Sequence, residues 1–198
     1  MCFRPDKHEY SIFMSGNLND EQAFYKEFII PILIKTFNIT PKFRINKEKK
    51  SINLVIYSKS LLNYLSKECE IPIGAKSDKV RIPEKFMKNP KFMIAFIKGF
   101  VDADFSLCLK KRYKKYPYYP VINGISKSKE IIIQISKFLQ SKEITFSLVI
   151  DRKQYDNRSR KFTQSSSIHI YGKKNLKKWI DIVGFRNSKY RNIIENIS

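Results

Sequence analysis

An α+β fold built from two related halves, one complete and one shortened, is predicted by three observations. The hydrophobic period switches repeatedly between two and about 3.6 residues, so strands and helices alternate along the chain. A strand-to-helix junction and a glycine-to-lysine spacing each occur twice. A helix with small residues on one face and acids at its end occurs in the second half, where the first half has too few residues for a counterpart.

The elements follow in order. Tyr10 to Ser15 alternates as a strand. Asn19-Asp20-Glu21 offers a cap and an acidic first turn, and Phe24, Phe28, Ile29, Leu33 and Phe37 then recur at helical spacing. Lys42 to Asn46 and Ile52 to Tyr57 read as strands around a charged turn, and Ser60 to Glu68 as a short helix. A loop with Pro72, Gly74 and Pro83 precedes a helix that starts after Pro90. Strands are expected near Ser106 to Lys111 and Tyr118 to Ile125, then a helix from Ser128 to Leu139. Strands near Phe146 to Lys153 and Ser165 to Tyr171 follow, and helices near Leu176 to Val183 and Lys189 to Ile197 finish the chain.

The halves resemble each other. Ile56-Tyr57-Ser58-Lys59-Ser60-Leu61-Leu62 stands against Ile170-Tyr171-Gly172-Lys173-Lys174-Asn175-Leu176. Gly74 and Lys79 are spaced like Gly184 and Lys189, and Tyr10 to Phe28 matches Tyr118 to Phe138 in strand-turn-helix order. Agreement over several elements indicates a duplication. Residues 1–85 form a first repeat lacking the acid-ended helix, and 86–198 a complete one. The nine residues before Tyr10 are too few for the helix and first strand that open the second copy.

Composition bounds the function. The 198 residues carry 39 Lys and Arg against 18 Asp and Glu, a formal charge of +21. Such an excess attracts polyanions, and no helix joins a basic face to exposed apolar anchors, so nucleic acid is favoured over a membrane surface. Cys2, Cys69 and Cys108 are far apart with no Cys-x-x-Cys spacing, and His8 and His169 are the only imidazoles, which argues against zinc. No signal pattern and no apolar run of about 18 residues occurs, so a cytoplasmic, intracellular protein is expected.

In Phe92-Met93-Ile94-Ala95-Phe96-Ile97-Lys98-Gly99-Phe100-Val101-Asp102-Ala103-Asp104 the small residues Ala95, Gly99 and Ala103 fall four apart on one face. A mid-helix Gly costs about 1 kcal/mol against Ala, which implies a packing reason. Asp102 and Asp104 stand at the helix C-terminus, the unfavourable end of the dipole for acids. Gly-aromatic-Val-Asp-Ala-Asp running into an alternating strand of a very basic chain resembles the motif of the LAGLIDADG homing endonucleases. The resemblance covers about 86 to 198 well and 10 to 80 more loosely.

That resemblance implies an α-β-β-α-β-β-α unit and a saddle of antiparallel sheets on double-stranded DNA. It implies two motif helices packed through Ala95, Gly99, Ala103 and the bracing Asp102, here by a homodimer. It implies Mg²⁺ or another divalent metal held by Asp104, with Lys189 and its first-copy counterpart Lys79 beside the scissile phosphate. The motif normally closes with Gly, which lets the backbone turn tightly near DNA; this chain has Phe105 there, which is expected to shift Asp104 or obstruct the phosphate.

Strand alternation places Ser106, Cys108, Lys110 and Arg112 opposite Leu107 and Leu109. By the same rule Ser147, Asp151 and Lys153 face out, as do Ser167, His169 and Tyr171, with Tyr119 and Asn123 added from the second strand. Of these, Ser106, Lys110, Arg112, Tyr119, Asn123, Ser147, Lys153, Ser167 and His169 are the candidate DNA contacts, a polar and basic set suited to the major groove. The loops Lys110 to Tyr116 and Asp151 to Lys161 are the candidate phosphate contacts. Two functions stay open: a site-specific, metal-dependent DNA endonuclease of homing type, or an inactive relative that binds nucleic acid as a regulator or as an intron-splicing maturase on intron RNA. A truncated remnant is the third reading.

Overall fold

The computed structural model describes residues 2–4, 9–74, 78–112, 116–157 and 160–195. The chain forms two compact units, Met1–Lys76 with Arg186–Lys189, and Ser77–Phe185 with Tyr190–Ser198.

The first unit runs β1 (Cys2–Arg4), β2 (Glu9–Asn17), α1 (Leu18–Phe24), a π-helical turn (Tyr25–Ile29), α2 (Ile30–Phe37), β3 (Lys42–Asn46), β4 (Ser51–Tyr57) and α3 (Lys59–Asn63). Its antiparallel sheet has the order β1-β2-β4-β3. Asn17 rather than Asn19 caps α1, its side chain accepting from the backbone N–H of Asn19 and Asp20. Pro31 stands in the first turn of α2 and has no N–H to return to the preceding turn, and the wider π turn lies immediately before it. Ile12, Leu33, Ile52, Leu54, Ile56, Leu61 and Leu62 make the core.

The short N-terminal segment corrects one expectation. Cys2–Arg4 pairs with β2, so a first strand is present. Three residues carry no readable alternation, and the pairing comes from β2. The described residues of this unit hold no counterpart of the acid-ended helix.

The second unit contains α4 (Glu84–Met87), α5 (Pro90–Asp104), β5 (Phe105–Arg112), β6 (Tyr116–Ser126), α6 (Lys129–Ser141), β7 (Phe146–Asp156), β8 (Lys161–Tyr171), α7 (Lys173–Ile182) and α8 (Arg191–Glu195). From α5 to α7 this is α-β-β-α-β-β-α. The antiparallel sheet order is β5-β6-β8-β7. Ile131, Ile132, Ile135 and Leu139 of α6 meet Leu107, Ile122, Ile168 and Ile170 of the sheet in one core with Ile97, Val101 and Trp179. Residues counted with the first repeat also pack here. Ser128 donates to the Val80 carbonyl at 2.5 Å, and Gln134 binds Ile82 through both its carbonyl (2.7 Å) and its amide (3.3 Å). No described helix is long and apolar enough to cross a membrane.

The two sheets correspond in strand order and register. Ser11 pairs with Tyr57, and Val121 with Tyr171. Cys2 pairs with Ser11, and Cys108 with Val121. Tyr57 thus corresponds to Tyr171, as the junction match expects. Tyr10, however, corresponds to Pro120, two residues beyond Tyr118. Gly74 and Gly184 also share a backbone of positive φ, +81° and +67°, which glycine adopts without a Cβ penalty.

Candidate nucleic-acid interface and motif acid

Helix α5 starts on the side chain of Asn89, which accepts from Lys91 N–H, with Pro90 in the first turn. Its Ile97 and Val101 are buried in the core, which turns Ala95, Gly99 and Ala103 outward, all three exposed. A Cβ built on Gly99 meets nothing within 4 Å. The two acids separate by burial. Asp102 is 1% exposed, whereas Asp104, the last helical residue, is solvent-exposed. Among the described residues no group of three His, Cys, Asp or Glu is arranged to hold a metal ion.

On the face of the second sheet away from α6, four expected contact residues fall in a single cross-strand row. Ser106 pairs with Asn123, Asn123 with His169, and His169 with Ser147. Lys110 and Tyr119 form another pair on β5 and β6. Arg112 enters β5, but its side chain lies outside the described set, as do residues 113–115.

Asn123 and His169, at the centre of the row, are hydrogen-bonded to each other and to neighbouring side chains. Asn123 Nδ2 donates to Cys108 Sγ at 3.3 Å, which turns its Oδ1 toward His169 Nδ1 at 2.8 Å. His169 Nε2 is 3.1 Å from the Ser167 hydroxyl. Burial first, then the charges of Lys110 and Arg152, push the His169 imidazole below its ordinary value of 6.5. In the neutral ring Nδ1–H donates to Asn123 and Nε2 accepts from Ser167.

The linkage has a definite sign. Below pH 6.5 the unfolded chain takes up this proton more readily than the folded one. The contribution of His169 to stability is therefore complete above that pH and is lost as acidification proceeds toward the folded value. Denaturant unfolding across a pH series is expected to show this acid-side decline in the wild type and a shallower one in His169→Gln. Equal slopes would refute it.

Lys153 does not share this face. Val149 pairs with Ser167 but Arg152 with Ser165, so Ile150 and Asp151 together oppose Ser166 in a β-bulge. Asp151 has φ +54°, its N–H donates to Ser166 Oγ at 3.1 Å, and its carboxylate bonds Lys129 at 2.7 Å. The bond from Lys129 is the first cause holding this carboxyl below its ordinary value. The extra residue reverses the alternation, so Arg152 joins the His169 face while Lys153, opposite Gln164, and Asp151 turn to the helix side.

Lys189 belongs to the first unit, with its ammonium 3.1 Å from Glu21 Oε1. Asn187 Nδ2 donates to the same oxygen at 3.4 Å, and Arg186 lies over the Phe28 ring at 4.8 Å. The other Glu21 oxygen accepts from Asn17 N–H at 2.9 Å. Burial and then the Glu21 charge raise the neighbouring Tyr25 hydroxyl to about 12. Lys79 sits exposed in a turn.

Comparison with solved structures gives the fold. I-DmoI in complex with DNA and Mn aligns with a TM-score of 0.59 at 19% identity, over 93% of this chain and 86% of that one. Mesophilic variants of I-DmoI give 0.58 at 18% identity over 92% and 80%. The LAGLIDADG homing endonuclease I-GzeII in complex with its DNA target gives 0.53 at 10% identity over 94% and 78%.

The fold is that of the LAGLIDADG homing endonucleases.

No family model matches the chain. A protein from Methanocaldococcus jannaschii described as "Probable translation initiation factor IF-2" is 30% identical over 183 residues, which is 89% of this chain and 14% of that protein. The chain thus spans about one seventh of the curated relative it matches, given that 14% share.

Within this fold, the position after Asp102 and Asp104 needs no glycine here. Phe105 has φ −102° and ψ 166°, ordinary extended backbone. Its ring is buried, edge-on to Phe100 at 6.0 Å, over its cross-strand partner Gly124. A Cβ on Gly124 would stand 2.1 Å from the Phe105 ring, so the space a glycine vacates on β6 is filled from β5. Tyr190 holds the Phe105 carbonyl through a 2.6 Å bond. The substitution points into the core and leaves Asp104 exposed.

Sequence reasoning also passed over the first sheet. Arg44, Asn53 and Ser15 form a polar row there, with Ser15 Oγ 2.6 Å from Asn53 Oδ1. Lys42 lies over the Tyr57 ring at 5.4 Å. The alternation of Lys42, Arg44 and Asn46 was the available signal.

Proposed function

We propose that this chain is a site-specific, metal-dependent endonuclease of homing type that hydrolyses phosphodiester bonds in double-stranded DNA. The observation that carries the reading is the end of α5, where the exposed Asp104 follows the buried Asp102 on this fold. The polar row Ser106–Asn123–His169–Ser147, flanked by Lys110 and Arg152, is the base-reading and phosphate-binding face.

An exposed carboxylate fits Mg²⁺ or Mn²⁺, which keep most of their water and take one or two protein carboxylates together with substrate phosphate. When bound at Asp104, such an ion supplies Lewis-acid stabilisation of the departing oxygen. Related structures were solved with Mn, Ca and Mg. The second carboxylate of a paired centre is proposed to come from a second copy of the chain packed on the Ala95-Gly99-Ala103 face. Lys189, with Lys79, is the proposed phosphate-side cation, and Glu21 sets its position.

The test is a randomised duplex library incubated with the protein and Mg²⁺. A discrete set of cleaved sites, lost on chelation, is expected. Tight, salt-sensitive duplex binding with no cleavage at any site would refute the enzyme and leave the DNA- or intron-RNA-binding regulator.

A further inference from the structure

Beyond the bulge, the β7–β8 hairpin has a second face, opposite the His169 face proposed for duplex binding. Tyr155 and Phe162 are direct cross-strand partners with rings 5.3 Å apart, edge to face. They are 53% and 75% exposed. In register they continue the side of the sheet that carries Ile170 and Ile168 into the core, the side opposite His169. The neighbouring row on that side is Lys153 with Gln164, and an open groove of about 410 Å³ is lined by Lys153, Phe162, Thr163 and Gln164. Residues 152–164 contain five Lys and Arg and one Asp.

We propose that this outer face of the hairpin binds a single-stranded polynucleotide, with an unpaired base on the Phe162–Tyr155 pair and its phosphate on Lys153. Exposed aromatic faces among cations are the combination that holds single strands, since every base has a π-face and every linkage a charge. A duplex buries those base faces in its own stack, so the aromatic pair selects unpaired nucleic acid. A protein partner is disfavoured because the core of a protein interface is depleted of charge, and here charge adjoins the rings. The two rows lie about 7 Å apart along the strands, which suits one extended nucleotide. This site stands apart from the cleavage reading and survives its failure.

The test uses the full chain and fluorescence anisotropy with labelled oligo-U, oligo-dT and a mixed-sequence duplex. Wild-type protein is expected to bind at least one single strand, and the RNA and DNA arms show whether the 2′-hydroxyl matters. Tyr155→Ala/Phe162→Ala should weaken single-strand binding about tenfold or more, since each stack contributes on the order of 1–3 kcal/mol. Its duplex affinity should stay within about twofold, with the melting temperature confirming the fold. Lys153→Ala should reduce the salt slope of single-strand binding by about 0.7, one phosphate contact on a single strand. Unchanged single-strand affinity in the double variant, or an equal loss on duplex, would overturn the proposal.

Discussion

Cleavage by Asp104→Asn is expected to fall about a hundredfold or more, since a catalytic metal supplies several kcal/mol of transition-state stabilisation and each 1.36 kcal/mol is tenfold in rate. Asparagine keeps the shape of the side chain but removes the charge a divalent cation requires and replaces one acceptor oxygen with an NH2 donor. Asp104 is solvent-exposed at the last turn of α5 whereas its neighbour Asp102 is buried, so the substitution lies outside the core. Duplex affinity and melting temperature should therefore remain close to wild type. Asp102→Asn provides the contrast, because a buried carboxylate has neighbours arranged around its charge and its loss should appear as instability. Single-turnover cleavage of a selected site, measured beside thermal melting, separates the two. Asp104→Asn cleaving at the wild-type rate would remove Asp104 from the active centre.

The largest stability effect is expected at Gly124. The Phe105 ring occupies the position of any Cβ there, and the ring is itself buried, so Gly124→Ala forces it out of its place against Phe100. Overpacking of this kind costs about 3 kcal/mol, near the upper end of its usual range. For a chain of this size that corresponds to a fall in melting temperature of about 6–12 °C. The pair should also be coupled. Phe105→Leu in the wild type leaves a void, but in the Gly124→Ala background it relieves a clash, so the double-mutant cycle should depart from additivity by more than about 1 kcal/mol. Additive losses would mean that the ring and the glycine do not share this space. The same experiment bears on function, because it tests whether Phe105 is a packing solution rather than an obstruction beside Asp104.

Much of the site was legible because alternation holds where strands are regular. Parity alone turns Ser106, Ser147 and His169 to the outward side of their strands, and the register places them in one row with Asn123. Parity failed at Lys153, where Asp151 adopts positive φ and is held by Lys129 and Ser166. Those partners are 22 and 15 residues away in the chain, and no local pattern announces the bulge they stabilise. Lys189 was named for its place after Gly184, but its partner Glu21 is 168 residues distant.

By itself the sequence determined the order of the main strands and helices from Tyr10 onward and the acid-ended helix, because each is written in local periodicity and spacing. It also determined the polyanion-seeking charge, which needs no coordinates. The tertiary structure alone decided which of the two acids meets solvent, since burial depends on what packs against the last turn of α5. It decided that Arg152 replaces Lys153 on the His169 face, because one extra residue in a ladder reverses every side chain beyond it. It decided that Phe105 is accommodated, because the glycine that makes room for it lies on the neighbouring strand, and a cross-strand vacancy exists only once the register is set.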